Sequence, residues 1–177
     1  DYNDDTENSE IYGKLYNWYA VDDDRGVCPE GLHIPSDEEF MQLETFLGLS
    51  EEELFMVGHR GTNEGSKLAG ISELWDDGNL DNNEEFGSTG FNALPSGELS
   101  FPFFNIDDYN HQGLITSFWT STIRENDDGV ETGAYYRHLY YIESRLARYY
   151  LNGWVHFSVR CMAEVEEGCT HPNATNY

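Results

Sequence analysis

The sequence predicts an α+β fold with two short helices, small antiparallel sheets and long irregular loops. Three observations predict it. Ser36 and Glu39 form a capping box at the head of an amphipathic run. Residues 66–113 are dominated by Gly, Asn and Asp with only scattered apolar anchors. The last third is rich in Tyr, Arg and β-branched residues in short strand-like runs.

Residues 11–21 are aromatic and flanked by acidic runs, so they read as one or two strands with a turn near Gly13. A turn-rich connector follows, from Cys28 to Pro35. The helix over 36–47 has acids in its first turn, where the dipole favours them. Its expected apolar face is Phe40, Leu43, Phe46 and Leu47, and Gly48 ends it. Ser50 and Glu53 repeat the capping signal, which predicts a second helix over 51–57. Trp75, Phe86, Phe91 and Leu94 anchor the irregular middle. Strands are expected over 117–123, 134–142 and 145–151, with a turn at Glu143–Ser144. Asn152–Gly153 signals a hairpin. Residues 154–162 alternate, with Val155, Phe157, Val159 and Cys161 on the core side.

The chain of 177 residues suits one domain. Its formal charge of −25 argues against nucleic acid and anionic membrane surfaces, which select Lys and Arg. High charge alone hints at disorder, but 12 Tyr, 10 Phe and 4 Trp can fill a core. No stretch approaches the length of a membrane span. No signal peptide is visible, so the expectation is a mature fragment or an excised segment of something longer. The acids cluster in loops, helix starts and flanks. Between Thr132 and Ala163 only Glu143 carries negative charge.

Three cysteines are present. Cys28 and Cys161 are either a disulfide pair or two separate buried thiols; Cys169 lies in the tail, with no partner evident. No CxxC pair occurs.

The motif series is specific. Gly13-Lys14-Leu15-Tyr16-Asn17-Trp18-Tyr19-Ala20-Val21 precedes Cys28-Pro29-Glu30-Gly31-Leu32-His33-Ile34-Pro35-Ser36. Then come Gly65-Ser66-Lys67-Leu68, Gly90-Phe91-Asn92-Ala93-Leu94-Pro95-Ser96-Gly97, Phe118-Trp119-Thr120-Ser121-Thr122, Ala134-Tyr135-Tyr136-Arg137-His138-Leu139 and Phe157-Ser158-Val159-Arg160-Cys161. This order resembles the Fibrobacter succinogenes major paralogous domain, a family of surface and secreted proteins of Bacteroidota and Fibrobacterota. Leu32 and Phe40 depart from the Trp usual in the family. The resemblance implies a C-type lectin-like fold, shared with the formylglycine-generating-enzyme group, in which the termini lie close together. It also implies a Cys28–Cys161 bond and a secreted or cell-surface location. The domain is expected over 11–163, after an acidic flank at 1–10. The tail 164–177 looks like the start of a Cys-bounded acidic spacer repeat, so the chain is expected to be one module of a longer polypeptide. Asn173-Ala174-Thr175 fits a glycosylation acceptor pattern.

Two features could carry function. The loop with Asp76, Asp77, Asn79, Asp81, Asn83 and Glu85 offers alternating oxygens suited to calcium, although it is not an EF-hand: Asn82 replaces the sixth-position Gly. The alternative is a plain solvated loop. A second acidic loop, Asn126 to Gly129, is a lesser candidate. The Tyr-rich strands supply Tyr135, Tyr136, Arg137, Tyr140, Tyr141, Arg145, Arg148, Tyr149, Tyr150 and Asn152. Alternation sends half of them outward, and exposed Tyr and Arg suit recognition, including stacking on sugar rings. The alternative is that they build the core and pair with carboxylates. The six His show no metal-ligand spacing. Formylglycine-generating chemistry needs two active-site cysteines, and no other catalytic motif appears.

The expected function is therefore non-catalytic: an extracellular recognition or adhesion module binding a glycan or protein ligand, with no nucleic acid and no membrane insertion. The alternatives are a structural module packing against other modules or chains of a secreted assembly, and an oxidase like the formylglycine-generating enzymes.

Overall fold

The computed structural model describes residues 5–100, 108–126 and 128–163, with the side chains of 108 and 109 outside the description. The tail with Cys169 and Asn173, and Asp127 of the second acidic loop, lie outside the described residues.

The chain start is helical where strands were expected. Helix α1 spans Thr6–Tyr12 and α2 spans Trp18–Val21; only Tyr16–Asn17 (β1) is extended between them. Local side chains explain the difference. The Asp5 carboxylate accepts the Glu7 N–H, and the Asn17 side-chain oxygen accepts the Ala20 N–H. Each satisfies a first-turn donor that a helix otherwise leaves open. Gly13, at φ 79°, ends α1.

A two-residue strand, Leu32–His33 (β2), leads into α3, Asp37–Leu47, which has the expected capping box and a left-handed Gly48 at its end. Its buried stripe differs from expectation. Asp37, Phe40, Met41, Glu44 and Leu47 face inward, at spacings of three and four, whereas Phe46 is 84% exposed. Two acids replace apolar residues on the inner face because the opposing sheet presents arginines. Helix α4, Glu51–Leu54, is shorter than predicted and gives way to β3, Gly58–Arg60.

After α5 (Glu64–Leu68) and one 3₁₀ turn (Ser72–Leu74), described residues up to 97 are irregular. Strands β4 (Glu98–Ser100) and β5 (Asp108–Asn110) pair antiparallel. The long strands follow: β6 (Ile115–Glu125), β7 (Glu131–Tyr140) and β8 (Glu143–Leu151). Tyr140 pairs with Glu143, so the β7–β8 turn is Tyr141–Ile142 rather than Glu143–Ser144. The predicted strand over 154–162 reduces to β9 (His156–Phe157) and β10 (Met162–Ala163). Asn152–Gly153 is no hairpin turn, because β9 pairs with β1 and β4, not with β8. The Gly153 carbonyl instead accepts the Trp18 N–H.

Strands are ordered β3-β8-β7-β6 in one sheet and β1-β9-β4-β5 in another, with β2 and β10 as a separate pair. All pairings between these named strands are antiparallel. The architecture is mixed α+β, with short helices and small antiparallel sheets. The β1–β9 and β2–β10 pairs bring the early chain against its last described strands. Cys28 and Cys161 are bonded, with Cα atoms 5.7 Å apart. Cys161 is half-buried rather than in the core.

The long sheet has two covered faces. One carries Phe118, Leu139 and Leu146 into the main core, against Phe40, Leu47, Leu68, Trp75, Leu80 and Ala93. The other carries Trp119, Ala134 and Tyr136 against Trp18 and Phe157 of the second sheet. Indole donors and hydroxyls tie the layers: Trp119 Nε1 donates to the Tyr16 carbonyl, Trp18 Nε1 to the Thr120 carbonyl, and the Ser96 hydroxyl bonds Thr116 and Ser158. No helix among the described residues is long and apolar enough to cross a membrane.

Candidate functional site

Alternation divides the predicted ligand residues between opposite faces of the long sheet. Tyr135↔Tyr150 and Arg137↔Arg148 are cross-strand pairs on the α3 side, and Tyr136↔Tyr149 is a pair on the other.

On the α3 side the arginines are structural. Arg137 is fully buried and Arg148 nearly so. Arg137 donates to Glu44 at 2.5 Å and to Asp37 at 2.7 Å; Arg148 donates to both Asp37 oxygens, at 2.6 and 2.9 Å. Arg60, from β3, donates to the same Glu44 oxygen at 2.6 Å. Burial acts to raise the Asp37 carboxyl, but hydrogen bonds from Arg148 and the charge of Arg137 outweigh it and hold it below its ordinary value. Arg148 also stacks on Tyr135, and Arg124 on Tyr150. The sequence offers Arg137 and Arg148 as ligand contacts. Buried and fully paired, they are ties between sheet and helix instead.

The opposite face carries Tyr136, Tyr140, Tyr149 and Arg145, and with them His138. Arg145 is paired with Glu143 at 2.6 Å. His59, from β3, meets Tyr149 edge-on, and Tyr149 contacts both Tyr136 and His138. Where β4 approaches this face, Glu98, His111, Leu114, Ile115, His138 and Tyr140 line a recess of about 280 Å³. The approach is fixed by backbone bonds: the Gly97 N–H donates to Ile115, the Ile115 N–H to His111, and the Tyr141 N–H to Leu114. His111 sits at φ 66°, a left-handed conformation rare outside Gly.

The chemistry of the recess is mixed. Burial raises the Glu98 carboxyl, and the nearby His111 offsets this only in part. Among the described residues the one basic side chain within 4 Å of it is His111, at 3.8 Å, beyond hydrogen-bond reach. His138 is pushed down to about 4, by burial first and then by His59 and His111, so it is neutral at physiological pH. Its Nδ1 bonds the Ser117 hydroxyl at 2.9 Å, which fixes the ring orientation. Ser117 is fully buried and so is no accessible nucleophile. Burial, then the charge of Glu98, raises the Tyr136 phenol. A carboxylate, a neutral imidazole, a phenol and an apolar floor can together orient a small polar ligand.

The profile of the Fibrobacter succinogenes major domain matches residues 1–162. The chain belongs to this family. No curated protein and no solved structure matches it. In this member of the Fibrobacter succinogenes major domain family, the two cysteines within the matched span and its edge are joined to each other.

The remaining predicted residues are placed as follows. Tyr141, at the β7–β8 turn, packs against the main core, and Asn152 lines a shallow recess with Tyr19, Glu131 and Thr132. In the acidic loop, Asp77 accepts from the Asn82 amide, Asp81 from the Gly78 N–H, and Asn83 from the Glu85 N–H. Asn79 donates to the Ile142 carbonyl, and the Leu80 N–H to Tyr141. Asp76 and Glu85 are exposed. These bonds seat buried Leu80 and hold the β7–β8 turn. Among the described residues, no three His, Cys, Asp or Glu side chains converge as a metal site. In the second acidic loop, the Asn126 side chain accepts the Asp128 and Val130 N–H groups as a turn cap.

Glu98, His111 and His138 are absent from the sequence-predicted set. His138 was legible, because strand alternation sets it on one face with Tyr136 and Tyr140. Glu98 and His111 lie in the irregular middle, and only the pairing of β4 brings them to the sheet.

Proposed function

We propose that this domain is a non-catalytic, C-type lectin-like recognition module of a bacterial surface or secreted protein, and that it seats a glycan or protein ligand in the Glu98–His111–His138–Tyr140 recess. The observation that carries the proposal is the convergence of a shielded carboxylate, a neutral histidine and an accessible tyrosine around one cavity. Such a cavity offers stacking area and directional hydrogen bonds together. The Cys28–Cys161 bond supports a non-catalytic role, because the oxidase reading needs two free thiols. Extracellular placement rests on that disulfide, on the acidic exterior and on the family's usual setting. The test is a glycan and peptide array, run with the parent domain and with Tyr140→Ala. Signal on the parent that disappears in a folded Tyr140→Ala supports the recess; signal retained in that variant refutes it.

A second reading has its own observation. Phe46 on α3, and Phe55, Met56 and Val57 just after α4, are exposed large apolar side chains. They suit a structural module packing in a larger secreted assembly. Sedimentation of the domain with its neighbouring modules separates the two readings.

A further inference from the structure

Resting on the recess as the ligand seat, we propose that its ligand carries a protonated primary amine, received by the Glu98 carboxylate and the Tyr140 ring. Every comparably shielded acid singled out among the described residues already has strong donors. Asp37 has Arg137 and Arg148; Glu44 has Arg60 and Arg137; Glu64 accepts the Thr62 and Asn63 N–H groups; Glu143 has Arg145. Among the described residues, Glu98, with 22% of its side chain exposed, has the looser His111 contact as its one ion pair. A carboxylate removed from water without donors is unfavourable, and a cation arriving in the recess removes that penalty. The walls suit an ammonium. His138 is neutral and brings no competing charge. Tyr140 offers an aromatic ring, whose face attracts a cation. Leu114 and Ile115 supply an apolar floor for the carbons next to the nitrogen. The acidic exterior steers cations toward the domain. At about 280 Å³ the recess admits one head group rather than an extended chain.

An ammonium of this kind comes from a lysine side chain or from an amino sugar. NMR titration distinguishes them, with each amine set against its neutral counterpart: Nα-acetyl-lysine methylamide against the norleucine analogue, and glucosamine against N-acetylglucosamine. One amine is expected to bind about ten- to a hundredfold more tightly than its neutral partner, and Glu98→Gln is expected to remove that preference. Tyr140→Leu is expected to weaken the same amine while leaving the fold's melting intact. The amine that binds names the source. Neutral partners binding as well as the amines, or Glu98→Gln keeping the preference, overturns the amine proposal while leaving the recess as the seat. Binding indifferent to both Glu98→Gln and Tyr140→Leu, with His138 signals unmoved, overturns the recess itself.

Discussion

Replacing Glu44 with Gln tests what holds sheet and helix together. Glu44 is fully buried and takes hydrogen bonds from two guanidiniums, Arg60 at 2.6 and 3.2 Å and Arg137 at 2.5 and 3.2 Å. Gln keeps the shape and removes the charge. Arg137 and Arg148 then keep the carboxylate of Asp37, while Arg60, among the described residues, is left with no carboxylate partner. Breaking a buried pair from one side costs about 3–5 kcal/mol, because the other charge stays behind without its partner. A domain holds about 5–15 kcal/mol in all, so this is a large fraction. At roughly 2–4 °C per kcal/mol for this size, Tm falls by on the order of 6–20 °C. Calorimetry at neutral pH reads the shift. Repeating it at high salt adds a control, since buried pairs are poorly screened and the drop is expected to persist. A Glu44→Gln domain melting within about 2 °C of the parent refutes the network as a structural tie.

Three further outcomes are expected. His138 titrates at about 4 in the folded chain against an ordinary 6.5, so it contributes stability above 6.5 that is lost as pH falls toward 4; urea unfolding at pH 7 and 4.5 is expected to show about 2–3 kcal/mol less acid loss in His138→Gln than in the parent, and equal losses count against a buried neutral imidazole. Replacing Cys28 and Cys161 with Ser releases a link across 133 positions and is expected to cost about 2–5 kcal/mol by denaturant midpoint, with no change if the bond carries no stability. A Cβ on Gly78 meets the Tyr141 carbonyl oxygen at 2.1 Å, so Gly78→Ala is expected to cost about 1–3 kcal/mol, while Tm in millimolar calcium and in chelator is expected to coincide; a calcium-dependent rise puts a cation among Asp77, Asp81 and Asn83.

What was legible in the sequence follows from range. The capping box at Ser36 and Glu39, the stop at Gly48 and three long strands in the last third depend on neighbours within a few residues, and they form, with the β7–β8 turn two positions earlier than predicted. The chain start was misread because its aromatics suit strands while Asp5 and Asn17, the caps, supply a weaker signal. Phe46 was assigned inward because the apolar pattern cannot see that Asp37 and Glu44 take the inner face. Their partners, Arg137 and Arg148, lie 93 to 111 positions away, and that pairing exists only in the folded chain. The same holds for Glu98, which no local pattern marks until β4 docks. The Tyr-rich strands read as a recognition surface from sequence, whereas alternation places Arg137 and Arg148 in the buried network.

The recess is tested most directly by NMR titration of the array-identified ligand into domain labelled at His, Tyr, Phe and Trp. His111, His138 and Tyr140 are expected to shift together, saturate with one Kd, and stop responding in Tyr140→Ala. Shifts gathered instead at Tyr19 and Trp154, or at Phe55 and Phe46, with these three unmoved, would contradict a ligand seat at Glu98.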